Sequence, residues 1–236
     1  MKLLLGILLA LGCLAGKAVA ADELASGTSS DGMSVPYVLT TGEGARPAYA
    51  VILMPGGSGI MSPRLNAGGR VTFGLGGDFL IRSRARFASG PFVAASTDAT
   101  AMPDRILAIA ADLRKRYGPL QVYVIGTSRS TEDTMALAAP LDGKVAGFVH
   151  TSSMNAIAGF DPRGFGSRHL IVLHRKDTCR VTRASNGEAS HRSFGTELVV
   201  MEGGKAAGED CEASSYHGYN GIEAETVDRI KAWIAR

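Results

Sequence analysis

The chain has 236 residues, 45% of them hydrophobic and 20% charged, with a formal net charge of +3. That size points to a single domain able to bury most of its apolar surface without a metal or a covalent staple. A balance so close to neutral gives no footing for a nucleic-acid partner.

The first twenty residues read MKLLLGILLALGCLAGKAVA. Lys2, an apolar run from Leu3 to Gly16 and the small residues Ala18-Val19-Ala20 form the pattern of a secretory signal peptide cut after Ala20. The alternatives are an uncleaved anchor, for which the apolar run is short of the ~20 residues a span needs, and a lipoprotein cut before Cys13, whose preceding residues match that pattern poorly. Cleavage would remove Lys2 and Lys17 and no acidic residue, which lowers +3 to +1. It would also remove Cys13 and leave Cys179 and Cys211, and two cysteines in an exported protein most simply form one disulfide. The expectation is a periplasmic or secreted protein with no membrane attachment after cleavage.

Residues 22–31 are small and polar and read as a loose arm. The mature region 21–236 then alternates in type. Strands are predicted over 34–40, 48–55 and 91–97, with a helix at 77–89 between the last two. A helix over 103–118 has Pro103 at its start, Asp104 in its first turn, basic residues in its last turn and Gly118 after it. "LQVYVIG" at 120–126 is a strand and "RSTEDTMALAAPL" a helix. Strands follow at 145–153, 169–175 and 196–203, and an amphipathic helix at 221–236 closes the chain. Continuous apolar strands separated by helices predict an α/β fold, a mostly parallel sheet covered on both faces. "PGGSGIMS" lacks the Gly-Lys-Ser/Thr ending of a phosphate loop, and "GLGGDF" lacks the spacing of a dinucleotide fingerprint.

In an open parallel sheet, ligands sit beyond the carboxyl ends of the strands. Ser128 follows the 120–126 strand, Asp177 the 169–175 strand and His217 the 196–203 strand, so all three are predicted at one edge. The combination has a chemical logic. A serine hydroxyl is a poor nucleophile until an imidazole takes its proton, and a carboxylate must hold that imidazole in the right tautomer. Ser130 is the rival nucleophile, and Asp161 and Asp210 are the rival acids. His150 and His174 fall within or at the end of apolar strands and read as core residues. His169 opens its strand at the wrong edge, and His191 reads as exposed. Arg82, Arg84 and Arg86 read as a solvated helix face. Arg129 adjoins the elbow and is left with two readings, contact with an anionic part of a substrate or cover for the surface below.

These residues carry a resemblance. Gly126-Thr127-Ser128-Arg129-Ser130 at a strand-to-helix corner, "LMPGGSG" at 53–59, "LHRKDTC" at 173–179 and "YHGYNGIEAE" at 216–225 resemble the α/β-hydrolase superfamily over about 48–236. The chain is most similar to small exported bacterial hydrolases with paired cysteines beside the acid and the histidine. Ser130 departs from the pattern, which usually has Gly there. The resemblance implies Ser128 as nucleophile, Asp177 as acid and His217 as base. It also implies an oxyanion hole from the backbone of Arg129 and of Gly57 or Ser58, although "PGGSG" can equally be a plain glycine turn. With only about 15 residues between the 145–153 and 169–175 strands, no helical cap is expected. Met154, Phe160 and Phe165 become candidate rim residues. The implied activity is cleavage of an accessible ester-like bond (carboxylester, thioester or lactone) in a small-molecule or acyl substrate, through an acyl-serine and without cofactor or metal. A peptidase, an acyltransferase or a non-catalytic binding protein of the same fold is the alternative.

Overall fold

The computed structural model describes residues 20–42 and 46–236, so the expected leader lies outside the described residues except for Ala20. Ten strands are described: β1 (Ala21–Thr28), β2 (Ser34–Thr41), β3 (Tyr49–Met54), β4 (Arg64–Leu65), β5 (Val71–Thr72), β6 (Phe92–Ser96), β7 (Gln121–Thr127), β8 (Gly147–Thr151), β9 (Arg168–His174) and β10 (Glu197–Met201). The helices are α1 (Phe79–Arg82), α2 (Arg84–Phe87), α3 (Pro103–Tyr117), α4 (Ser130–Ala138), α5 (Ala184–Phe194) and α6 (Glu223–Ile234). Eight strands form one sheet in the order β1-β2-β6-β3-β7-β8-β9-β10, and β4 and β5 make a small hairpin apart from it. From β6 to β10 every pairing is parallel, while β1 and β2 run antiparallel at one end.

Alternation along the strands divides the core. Ala50, Ile52 and Met54 of β3 and Val122 and Val124 of β7 pack with Ile106, Ile109 and Leu113 of α3 and Leu137 of α4. The intervening Val51, Leu53, Tyr123 and Ile125 pack with Phe79 and Leu80 of α1, Phe87 of α2 and Val227, Ile230 and Trp233 of α6. Side chains two apart on a strand share a face, so an unbroken apolar run feeds both layers.

Three expectations need correction. Residues 22–31 are not a loose arm: β1 pairs along its length with β2. Its small polar residues suit an edge strand, in which only Ala25 and Gly27 are buried, and it is fastened by the ion pairs Arg84–Asp22 and Arg116–Glu23. The predicted helix at 77–89 is two short helices that meet at Ser83. Helix α5 was not predicted, because "ASNGEASHRSF" shows little apolar periodicity. It lies against β9 through Gly187, where an added Cβ would come within 3.0 Å of Ile171 and Leu173.

His150 and His169 stand stacked on neighbouring strands, with ring centres 5.5 Å apart. His150 Nδ1 lies 2.8 Å from the Thr134 hydroxyl, which itself donates to Thr131 O. His150 Nε2 lies 3.2 Å from His169 Nδ1, so each ring nitrogen of His150 has a partner. Burial holds His150 well below the ordinary histidine range, His169 pressing it the same way, and lowers His169 to about 4. Below pH ~6.5 the unfolded chain takes up protons that the native pair refuses, so stability present at neutral pH is lost as pH falls toward 4. His169 alone accounts for roughly 3 kcal/mol of that loss. Melting curves taken from pH 7 to pH 4 should fall more steeply for wild type than for His169→Gln; parallel curves would contradict the assignment.

Candidate active site

The elbow is set by close packing. A Cβ on Gly126 would lie 2.7 Å from Ser130 O and 2.9 Å from Thr134 Cγ2, so only glycine lets β7 pass that close to α4. Ser128 takes a left-handed backbone conformation with φ of 52°, an uncommon state for a residue with a side chain. The turn lifts Ser128 to the carboxyl edge, where it lines a pocket with Gly56, Gly57, Leu75, Asp78, Phe79 and His217. Its hydroxyl makes no hydrogen bond among the described residues, while its N–H continues the sheet ladder to Thr151 O at 3.0 Å.

Ser130 has a different environment. Its hydroxyl is buried, donates to Met54 O at 2.7 Å and accepts from Thr127 N at 2.8 Å. A residue that the pattern gives as glycine is here a serine that ties β3 to the elbow.

Asp177 follows β9, and its N–H donates back to His174 O. His217 sits in a short 3-10 turn, Tyr216–Gly218, between β10 and α6. His217 Nδ1 lies 3.0 Å from Asp177 Oδ2, with both side chains nearly inaccessible. Asp177 Oδ1 accepts from Cys179 N at 2.9 Å, and Oδ2 accepts from the Thr182 hydroxyl at 3.2 Å. Thr182 Oγ1 is also 3.1 Å from His217 Nδ1. With the hydroxyl proton directed to the carboxylate, both Asp177 and Thr182 accept from Nδ1–H. That tautomer leaves the Nε2 lone pair free.

The histidine turn is held from two sides. Ser152, at the end of β8, donates its hydroxyl to His217 O at 2.7 Å, and Tyr219 accepts from Ser152 N and donates to Val172 O. From the other side Arg82 donates to Ala213 O, to Gly218 O at 2.6 Å and to Gly77 O, and pairs with Glu223. The expectation of a solvated Arg82 is therefore corrected: its guanidinium braces the histidine turn against α1. Thr182, Ser152, Tyr219 and Arg82 escaped the sequence reading, since each acts by a contact between segments distant in sequence.

Of the expected oxyanion donors, Gly57 lines the pocket with Ser128, whereas Ser58 and Arg129 line an adjoining hollow that Gly57 shares. The backbone N–H groups of Gly57 and Arg129 have no partner among the described residues. The Gly56 N–H is engaged by Asp78 Oδ2 at 3.0 Å. Phe160 and Phe165 are not rim residues: they pack on the core beside His150 and His169. Met154 does not line the pocket either; Leu75, Phe79, Cys211 and Ala213 do.

Cys179 and Cys211 form a disulfide across 32 residues. It joins the acid loop, where the Cys179 amide holds Asp177, to the segment leading into the histidine turn, where Cys211 and Ala213 line the pocket. A bridge of that span is worth roughly 3–4 kcal/mol on chain-entropy grounds. Replacing both cysteines by alanine should cost that stability. It should also cut turnover of an activated ester by ~100-fold at temperatures where circular dichroism still reports a folded sheet, because a displacement near 1 Å suffices for such a loss. Rate and melting curve measured on the same double variant separate the two effects; a rate that falls only with the fold makes the bridge a stabiliser alone.

No family model and no curated protein matches the chain by sequence. Solved structures do match. A lid-less α/β serine hydrolase from Xanthomonas campestris is 11% identical, with 89% of this chain and 94% of that one covered and a TM-score of 0.56. Est1E from Butyrivibrio proteoclasticus is 13% identical, with 92% and 98% covered and a TM-score of 0.60. A dienelactone hydrolase from Anabaena variabilis is 12% identical, with 92% and 97% covered and a TM-score of 0.62. With its mostly parallel sheet, helices on both faces and no cap among the described residues, the chain has the fold of the lid-less members of the α/β-hydrolase superfamily.

Proposed function

We propose that the protein is an exported serine hydrolase that cleaves an ester-like bond through an acyl-serine intermediate. The supporting observation is the relay Asp177–His217 at 3.0 Å, opening onto the pocket that Ser128 lines from its elbow. Ser128 Oγ attacks the carbonyl carbon while its proton passes to His217 Nε2. The negative charge on the carbonyl oxygen meets the unpartnered N–H groups of Gly57 and Arg129. Collapse expels the alcohol or thiol, which takes the proton from His217. Water then attacks the acyl-serine with His217 again as base. One oxyanion donor contributes about 3–4 kcal/mol in enzymes of this chemistry.

Export is supported by the form of residues 1–20 and by the disulfide, since disulfides persist in oxidising compartments. A pocket without a cap favours small or accessible acyl substrates over long buried chains. The test is a fluorophosphonate probe on the mature protein, with mass spectrometry to find the labelled residue. Labelling of Ser128 that is lost in Ser128→Ala is the expected result. An unlabelled protein would favour a binding protein that keeps the fold without turnover.

A further inference from the structure

The pocket beside Ser128 contains a carboxylate that the relay does not use. Asp78 caps α1, with Oδ1 accepting from Leu80 N at 2.9 Å and from Ile81 N at 3.4 Å, and its Oδ2 accepts from Gly56 N at 3.0 Å. A carboxylate has about four acceptor sites, so one remains, on Oδ2. That oxygen lies on the nucleophile's side: a Cβ built on Gly56 would sit 3.0 Å from Ser128 Cβ and 3.6 Å from Asp78 Oδ2. Carboxylate and serine flank the same glycine, and the space between them exists because residue 56 has no side chain.

The carboxylate already serves two segments, since Oδ1 caps α1 and Oδ2 holds the Gly56 N–H; an asparagine keeps the cap and gives up the Gly56 bond. Burial pushes the Asp78 carboxyl up, against three N–H donors and the nearby Arg82 that pull it down. Among the pocket-lining residues the other ionisable side chain is His217; no lysine or arginine lines it. Arg82 is engaged with Glu223 and three carbonyls. The segment that supplies Cys211 and Ala213 to the wall also contains Glu209, Asp210 and Glu212.

We propose that Asp78 determines specificity by accepting a hydrogen bond from an ammonium group on a short acyl chain, so that cationic acyl esters are preferred and carboxylate-bearing ones rejected. This rests on Ser128 as the nucleophile, which places the acyl group beside Gly56. The pocket, of roughly 180 Å³, has room for a short acyl chain. Opposite charges at near contact in a partly desolvated site differ from a neutral pair by enough for at least ~10-fold selectivity.

The experiment compares p-nitrophenyl esters of β-alanine, butyric acid and succinic acid, each kcat/KM divided by that ester's own rate with hydroxide. Fluorophosphonate labelling of Ser128 is measured in parallel. Wild type should favour the β-alanyl ester over the butyryl ester by at least ~10-fold and disfavour the succinyl ester. In Asp78→Asn the three should converge; if melting shows that variant unfolded, Asp78→Ser keeps a capping oxygen and replaces it. Equal rates for the β-alanyl and butyryl esters in a wild type whose Ser128 is labelled would overturn the role of Asp78 and leave the hydrolase reading standing. A preference that persists in the folded Asp78 variant would also overturn it. Failure of both hydrolysis and labelling would overturn the two together.

Discussion

Ser128→Ala should lower hydrolysis of an activated ester by about 10⁴- to 10⁶-fold while leaving the melting temperature close to wild type. Ser130→Ala should do the reverse. The Ser128 hydroxyl has no hydrogen-bond partner among the described residues, so its removal breaks none, and alanine relaxes no packing at a partly exposed corner. The Ser130 hydroxyl is buried between Met54 O and Thr127 N. Its loss leaves two buried backbone groups without their partner, at about 1–3 kcal/mol, and moves the elbow only indirectly, so activity should stay within ~10-fold of wild type. Kinetics and thermal melts on both variants check this. Activity retained in Ser128→Ala and lost in a folded Ser130→Ala would identify Ser130 as the nucleophile and remove the basis for the relay.

The same two serines show how far the sequence could be read. The strand-to-helix corner is legible in "VYVIGTSRSTEDT", because an apolar run with β-branched residues meets helix formers across small residues. The sequence does not reveal why position 130 tolerates a hydroxyl; the answer lies in Met54, 76 residues away. The parallel strands were legible because burial on both faces makes them continuous apolar runs. Strand β1 was not, since an edge strand with small polar side chains resembles a loop until its partner is known. Phe160 and Phe165 misled for a related reason. A short connection full of aromatics reads as a rim, yet here it folds down on the stacked pair His150 and His169. Arg82 misled in the opposite direction: helical spacing placed it on an outer face, and the return of the 213–223 segment adds the Ala213 and Gly218 carbonyls and Glu223 to the local Gly77 carbonyl that it holds. Residues whose role follows from local periodicity are legible, and residues whose role depends on a distant partner are not.

Asp177→Asn should reduce kcat by about 10⁴-fold with little change in KM. The two oxygens of Asp177 have different partners, and this fixes the outcome. Oδ1 accepts from the Cys179 amide, which the disulfide holds, and Oδ2 faces His217 Nδ1 and the Thr182 hydroxyl. An asparagine must keep its carbonyl oxygen toward the Cys179 N–H, because an NH₂ there would set donor against donor. Its NH₂ then points at His217 Nδ1, which can only answer with a lone pair. The imidazole proton moves to Nε2, and the nitrogen that should take the proton from Ser128 already has one. Asp177 does not itself line the pocket, so the loss is expected in kcat. Thr182→Val is the control: it removes one of two acceptors for Nδ1–H and leaves the tautomer unchanged, so a loss of only ~10-fold is expected. Steady-state kinetics on both variants, with ¹⁵N spectra of the imidazole to read the tautomer, test the argument. An Asp177→Asn protein with near wild-type kcat, or one whose His217 still carries its proton on Nδ1, would show that the carboxylate does not set the base.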